Sequence, residues 1–586
     1  MKNREAGFAR RRELDAAYPP LTNLKELVYR AAEFIGDKKT IHEKVNGEMV
    51  SYSRVDLLND MNALGTAIVL DGFKGENTAL IGENTYRWMV IYFANVNGGN
   101  LFAPLDKEIR GATLAKLINK SNSKMVFFDK EHEAAVAEVK ADCPSVKSWV
   151  MLTKGAERTD TADRYLDDML AEGKKALAEG NREYLDIEID PEAPAAIHFT
   201  SGTTGANKGV VLCHRNAVSN VLEERRICPT EERQLSVLPF NHTYEWNCAM
   251  LSRVYGDIDF MINDSLRNIV ANMKMFQPGE MTVVPLFLDL IAGGIKRYIR
   301  ATKSEARFGR LALLSNQLLA EGIDAREKIF AEFRRPVDEN LSLLICGGAP
   351  LNPEVVKFLA TVGVDCCNGF GITECSPLVS LNDNANEDPL SVGKPLPTLD
   401  VKIDDPDADG TGEILVKGPS VMLGYYEDEE ATKQVFTEDG YFRTGDFGYI
   451  SSTGNIYICG RKKNIIILDN GKNVHPEEIE TEAQQKNGYI TEMVAYQRNG
   501  ENEKGGNMIA AILHIDRDNY FPGKSDEEII AKAVEDIKAV NAELPSYKRI
   551  SAIQITYGPL PQTTTRKVKR PDTIARFKDE PMHFIH

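Results

Sequence analysis

The chain of 586 residues has no stretch near the ~18 consecutive apolar residues that a membrane-spanning helix needs. Its basic N-terminus, MKNREAGFARRREL, is not followed by an apolar segment, so it does not read as a secretory signal. The expected location is cytoplasmic, with at most peripheral contact with a membrane. The nine cysteines are scattered, and none forms a CxxC pair; Cys366 and Cys367 are adjacent, a poor geometry for a disulfide. That excludes a disulfide framework and a structural zinc site. The nine histidines are equally dispersed, with no HExxH spacing. No internal repeat is visible, which removes solenoids and propellers. Positive charge is also in deficit. Lysine and arginine total 70 against 87 aspartates and glutamates, for a net charge of −17. Such a surface repels a phosphate backbone, so no nucleic-acid partner is expected. An anionic small molecule would have to be met by a local concentration of donors and cations.

What is present is an ordinary globular balance, 42% hydrophobic and 27% charged, with enough length for several domains. Apolar runs alternate with helical spacing over the first three-quarters. Helical patterns cover 57–70, 86–96 and 353–362, and strands are expected at 78–81, 124–128, 341–346 and 364–368. This alternation predicts an α/β fold with stacked layers around largely parallel sheets. A helix is expected over the polar segment 164–178. From about residue 391, short alternating runs such as 412–416 and 455–458 are broken by Gly, Asp and Pro, which predicts a β subdomain over 391–460. A charged segment, GRKKN (460–464), follows. Strand and helix patterns at 509–515 and 526–540 then predict a small α+β domain. The expected division is a large N-terminal domain over 1–462 and a mobile C-terminal domain over 463–586.

The most informative segment is AAIHFTSGTTGANKG (195–209), an apolar strand feeding a loop of glycines, hydroxyl residues and one lysine. Glycines let backbone N–H groups turn toward an anion at close range. Thr200, Ser201, Thr203 and Thr204 add hydroxyl donors, Gly202 and Gly205 add backbone approach, and Lys208 adds a compact charge. A Walker A loop is excluded, because the positions that must read Gly-Lys-Ser/Thr are Asn207, Lys208 and Gly209. The segment resembles the phosphate loop of the adenylate-forming superfamily, which includes acyl-CoA synthetases, although that family usually has Pro where Asn207 stands.

Further motifs follow in the order that the resemblance requires. CGGAP (346–350) is similar to the segment beside adenine, placing Gly348, Ala349 and Pro350 there. NGFGITEC (368–375) is similar to the next motif. By that likeness Asn368, Gly369, Phe370 and Gly371 border the nucleotide, with Phe370 stacked on adenine. Thr373 would meet the α-phosphate and Glu374 would hold Mg²⁺. A dinucleotide-binding fingerprint is excluded, because Glu374 occupies the place of the third glycine. In YFRTGD (441–446), Asp446 would accept both ribose hydroxyls, and Arg461 would also reach the ribose. Asp446-Phe-Gly spells a kinase motif, but His214-Arg-Asn lacks the catalytic aspartate of a kinase loop.

LPQTTTRKVKR (560–570) resembles the final motif of the family, whose lysine enters the active site for adenylation. Matching Pro561, Thr563 and Arg570 assigns that role to Lys567, with Lys569 as the competing residue, since Arg566 stands where the family has Gly. Lys463 matches the family's hinge, and Gly471 a glycine of the coenzyme A channel. LPFNHTYEW (238–246) resembles the motif whose histidine, here His242, lies by the acyl site; the runs through 255 and over 282–291 would be walls of the acyl pocket. The implied substrates and cofactors are ATP, Mg²⁺, coenzyme A and a small-molecule carboxylic acid. The pattern is closest to the long-chain fatty acyl-CoA synthetases, which implies a medium- or long-chain fatty acid. The alternatives are loading of acyl carrier protein and a catalytically silent nucleotide-binding homologue.

Overall fold

The computed structural model describes residues 19–200, 207–468, 473–499, 507–563 and 568–585. Strands with no polar alternation sit where both faces are covered. Thr78–Ile81 and Met125–Phe128 are buried at every position, as expected of parallel strands between helical layers. Local signals fix the helices between them. Helix Arg54–Leu70 starts in a capping box in which the Ser53 side chain accepts from the Asp56 backbone N–H and the Asp56 carboxylate accepts from that of Ser53. Helix Tyr86–Val96 is capped by Thr85. Each cap satisfies N–H groups that the first turn otherwise leaves open.

Two large sheets result. An eight-stranded sheet runs in the order Gly424–Tyr425, Lys208–Cys213, Pro194–Thr200, Phe102–Leu105, Thr78–Ile81, Met125–Phe128, Ser148–Met151, Arg164–Tyr165. A nine-stranded sheet carries Leu378–Asn382, Asp365–Gly371, Leu343–Gly347, Glu280–Val283 and Arg233–Ser236 as consecutive neighbours. Both are mainly parallel, with antiparallel strands toward their edges. One core joins the two sheets through helices that include Leu24–Ile35, Tyr86–Val96 and His214–Ile227. A second core packs helices Pro285–Ala301 and Pro353–Thr361 on the outer face of the nine-stranded sheet. The expected layered α/β architecture is what forms.

Three departures are local. The helix expected over 164–178 begins at Leu166, because Arg164 and Tyr165 pair with Val150 and Met151 as an edge strand. The region 391–460 forms a four-stranded antiparallel sheet from Asp400–Asp404, Gly412–Lys417, Phe442–Ile450 and Ile456–Arg461. It also lends Lys394–Pro395 to the nine-stranded sheet and Gly424–Tyr425 to the eight-stranded one, so it is tied into the larger body at two edges. The strand expected at 364–368 runs on through Gly371. Toward the C-terminus, strands Ile490–Asn499, Asn507–Ile515, Ile550–Thr556 and His583–Phe584 form a separate sheet with its own apolar core, against helices Pro476–Lys486 and Asp526–Glu543.

Candidate functional site

Parallel strands deliver side chains and turns to one edge, and two motifs use that geometry. Leu343–Gly347 and Asp365–Gly371 are neighbours, with Cys346 opposite Asn368 and Gly347 opposite Gly369. Their carboxyl ends therefore place Gly348-Ala-Pro350 beside Ile372-Thr-Glu374. Ligands of open α/β sheets bind outside such ends. Gly348 has φ +89, a conformation that a side chain resists. A Cβ at Gly371 would meet the Pro377 carbonyl at 2.5 Å, so glycine is required for the strand to pass. Strand Arg233–Ser236 of the same sheet leads to His242.

These ends open into a cavity of about 2540 Å³. Bordering it are Thr200 and Lys208; His242 and Thr243; Gly348, Ala349 and Pro350; Asn368 through Glu374; Asp446, Arg461 and Lys463. Motifs separated by hundreds of residues thus meet at one place. Ser201, Gly202, Thr203, Thr204 and Gly205 lie outside the described residues, as do Gly471 and Lys567. The loop's two ends are described: Thr200 pairs with Lys208 across an antiparallel ladder. Lys120 Nζ donates to the Asn207 carbonyl at 2.6 Å, which anchors the residue that replaces the family's proline.

Tyr425 was not singled out by the sequence, yet it links Lys208 to Glu374. Its two-residue strand pairs with Val210 and Val211. The ring then lies 4.5 Å from Lys208 Nζ, and the hydroxyl donates to Glu374 Oε1 at 3.0 Å. Burial, followed by the Glu374 charge, pushes the phenol up, so it stays protonated and remains a donor. Thr373 and Thr243 bring hydroxyls within 3.5 Å of each other. Among these groups, Glu374 and the two hydroxyls are the hard oxygen donors that Mg²⁺ prefers when it rides on a polyphosphate, so the residues present fit the ion.

Asp446 sits opposite Arg461 in the ladder between Phe442–Ile450 and Ile456–Arg461. The register brings Arg461 Nε to 2.7 Å from Asp446 Oδ1, and Nη2 lies 3.3 Å from Oδ2. Asp446 is 3% exposed, and its backbone N–H donates to the Thr444 hydroxyl at 3.0 Å. A charge-assisted pair of this kind fixes the carboxylate's direction. Asn368 borders the cavity, but its side-chain amide donates to the Ser391 carbonyl at 3.0 Å. Its side chain therefore fastens the 391 segment. Phe370, the residue expected under adenine, is largely buried and borders the cavity.

Next to His242, Thr243, Tyr244, Glu245 and Cys248 border the cavity, whereas Trp246, Leu251 and Tyr255 belong to the core. Of the segment 282–291, Val284 and Phe287 border it and Ile291 is core. Tyr244 is held by a hydrogen bond from its hydroxyl to the Ile345 carbonyl at 2.9 Å. His198 is buried and packs against Trp246, with ring centroids 4.7 Å apart and planes tilted by 53°. Burial lowers its pKa to about 4, so it is neutral, with Nδ1 donating to the Asn241 carbonyl.

Glu245 is fully buried, bonded to the Ser236 hydroxyl, and burial raises its pKa to about 8. A carboxyl whose folded pKa lies above its ordinary value of 4.5 takes up protons on folding. Its contribution to stability is complete below pH 4.5 and disappears as pH rises through 8. Glu245→Gln keeps a neutral hydrogen-bonding group, so its Tm should exceed that of the wild type above pH 8 and match it near pH 5. Thermal melts across that range check this; parallel curves would reject the neutral carboxyl.

The C-terminal part reaches the same cavity. Gln562 and Thr563 border it on one side of the undescribed segment, and Val568 and Lys569 on the other; Gln562 and Val568 pair in a β-bridge. Arg570 anchors the far flank, bonding to Glu480 and to the Ala495 carbonyl. Lys569 points its charge toward Asp572 at 4.0 Å.

Comparison with known proteins agrees with this layout. The family model for AMP-binding enzymes matches residues 29–426, and that for the AMP-binding enzyme C-terminal domain matches residues 463–581. The guinea pig (Cavia porcellus) long-chain-fatty-acid–CoA ligase 1 is 28% identical over 473 residues, which cover 74% of this chain and 65% of that protein. The match therefore spans less than two thirds of that relative. A chloroplastic long-chain-fatty-acid–[acyl-carrier-protein] ligase of Arabidopsis thaliana is 25% identical, over 94% of this chain and 85% of its own. Among solved structures, ATP-bound MatB of Rhodopseudomonas palustris superposes with a TM-score of 0.72 at 24% identity, covering 95% of this chain and 99% of that one. With both family models aligned to the two parts that meet at the cleft, the chain belongs to the AMP-binding enzymes.

Proposed function

We propose that the protein activates a carboxylic acid with ATP, as acyl-AMP, and then transfers the acyl group to the thiol of coenzyme A. The observation that carries this reading is convergence: the phosphate-loop lysine, Thr373-Glu374, Asp446-Arg461 and both flanks of the Lys567 segment border one cavity. In the first half-reaction a carboxylate oxygen bonds to the α-phosphorus, the α–β phosphoanhydride bond breaks, and pyrophosphate leaves. Attack places two anions together while a third departs. Lys208, the hydroxyls of Thr200 and Thr373, and Lys567 are assigned to hold that charge. Glu374, oriented by Tyr425, would hold Mg²⁺, which when bound lowers the charge on the phosphate oxygens. Gly348, Ala349 and Pro350 offer a flat, open wall for adenine, with Phe370 beside it. Asp446 receives the ribose hydroxyls, its direction set by Arg461.

In the second half-reaction the thiol attacks the acyl carbon, the bond from that carbon to the AMP oxygen breaks, and the thiol proton is lost. Lys567 must first leave, since it would occupy the place that the thiol needs. The domain division at 462/463, with Lys463 as hinge, and the Gly471 channel serve that exchange. The acid is assigned as a medium- or long-chain fatty acid, entering past His242 between the Thr243–Cys248 wall and Phe287. Two relatives, one a CoA ligase and one a carrier-protein ligase by name, motivate the competing acceptor. Pyrophosphate release across acids of graded chain length, followed by thioester detection with coenzyme A and with acyl carrier protein, tests the reading. Release peaking at medium or long chains, with a coenzyme A product, is expected. A carrier-protein product alone would shift the acceptor, and no release with any acid would reject adenylation.

A further inference from the structure

The helix Glu305–Ala320 is an anomaly in an acidic protein. Of its sixteen residues only Ser315 is fully buried. Phe308, Leu311 and Ala312 lean on the outer core of the nine-stranded sheet. The opposite face reads Ala306, Arg310, Leu313, Leu314, Gln317 and Ala320, all exposed and none acidic. Leu313 is 68% exposed and Leu314 45%. Paired apolar side chains left in water on one helical face need a reason.

Charge supplies it. The chain carries −17 overall, yet from Lys296 to Ala320 it has six cations, Lys296, Arg297, Arg300, Lys303, Arg307 and Arg310, against one acid, Glu305. Arg307 is committed to Glu332. Arg297, Arg300, Lys303 and Arg310 have no ion-pair partner among the described residues, and Arg297, Arg300, Lys303 and Arg310 are all solvent-exposed. Cations flanking exposed leucines on a surface helix are the pattern of an interfacial helix, with leucines in the headgroup–acyl boundary and cations on anionic headgroups. Among the described residues no helix is long and apolar enough to cross a membrane, so such a helix lies on the bilayer.

We propose that helix Glu305–Ala320, with the turn before it, docks the protein on an anionic lipid surface. The docking face stands whichever acid the cleft activates. It is also placed to serve the cleft. Helix Pro285–Ala301 has Phe287 bordering the cavity at its start, and its last turn leads into the cationic turn. Seventeen residues at 1.5 Å each set the two about 25 Å apart.

Flotation of the full chain with phosphatidylcholine vesicles, with and without phosphatidylglycerol, tests this. Binding is expected only with phosphatidylglycerol, and it should fall as salt rises. Arg300→Glu with Lys303→Glu should weaken it by at least about tenfold, given about 1 kcal/mol per cation near such a surface. Leu313→Ser with Leu314→Ser should also weaken it by at least about tenfold, without changing pyrophosphate release with a water-soluble acid. Should the leucine variant fail to fold, the charge variant and the salt dependence still decide. Any of these results overturns the proposal: no binding; equal binding to neutral vesicles; wild-type binding by the charge variant; and vesicle-free pairing through this face, seen as a concentration-dependent mass in light scattering that is lost in the leucine variant. Binding of an acidic carrier protein without vesicle binding assigns the face to a protein and equally overturns it.

Discussion

Lys567→Ala is expected to slow adenylate formation by at least about 10²-fold, because one preorganised donor to a developing oxyanion is typically worth about 3–4 kcal/mol. Transfer from supplied acyl-AMP to coenzyme A should be spared, since the lysine is assigned to the first half-reaction alone. Lys567 is assigned the role by the match of Pro561, Thr563 and Arg570 to the family's motif. Thr563, Val568 and Lys569 border the cavity on either side of the segment, and Lys569 Nζ lies 4.0 Å from Asp572, so Lys569 is the rival to be tested beside it. Single-turnover measurement of the two half-reactions separates them. Equal loss in both would remove the assignment, and the same profile from Lys569→Ala would transfer it.

Asp446→Asn should raise the KM for ATP by about 10²-fold with a smaller effect on kcat, because hydrogen bonds to a charged group are worth about 1.5–3 kcal/mol each and two hydroxyls are involved. The substitution also leaves Arg461 facing a neutral amide in place of its ion-pair partner. A second substrate isolates the ribose contribution. The wild type should discriminate against 2′-deoxy-ATP, and Asp446→Asn should lose most of that discrimination. If the variant rejects the deoxynucleotide as strongly as the wild type does, Asp446 does not hold the ribose.

Where the chain used continuous apolar strands and strong caps, its structure was legible from the residues. Thr78–Ile81 and Tyr86–Val96 form at the bounds that their patterns predict, because a continuous apolar run marks the one and a Thr85 cap followed by an apolar run marks the other in the local sequence. The helical spacing over 164–178 runs past the true start of the helix at Leu166, since Arg164 and Tyr165 are drawn into a sheet edge by Val150 and Met151. Helical spacing alone carries no trace of that pairing. The candidate site divides along the same line. Glu374, Lys208 and Asp446 stand in motifs with distinctive chemistry. Tyr425 rides on a strand of two residues, too short for any periodicity to show. Its hydrogen bond to Glu374 and its ring contact with Lys208 exist because the antiparallel pairing with Val210 and Val211 puts it there. The Asp446–Arg461 pair likewise follows from ladder register. Glu245, four residues before an ordinary core alanine, gives no sign in sequence that it will be enclosed and neutral.

The reaction assigned to the cleft moves one oxygen atom from the acid to phosphorus, and that atom can be followed. With substrate carrying ¹⁸O in its carboxyl group, turnover with ATP and coenzyme A should yield AMP containing one labelled oxygen and unlabelled pyrophosphate. AMP free of label, with the carboxyl oxygen lost on thioester formation found instead in pyrophosphate, phosphate or water, would show that no carboxyl oxygen reaches the α-phosphorus.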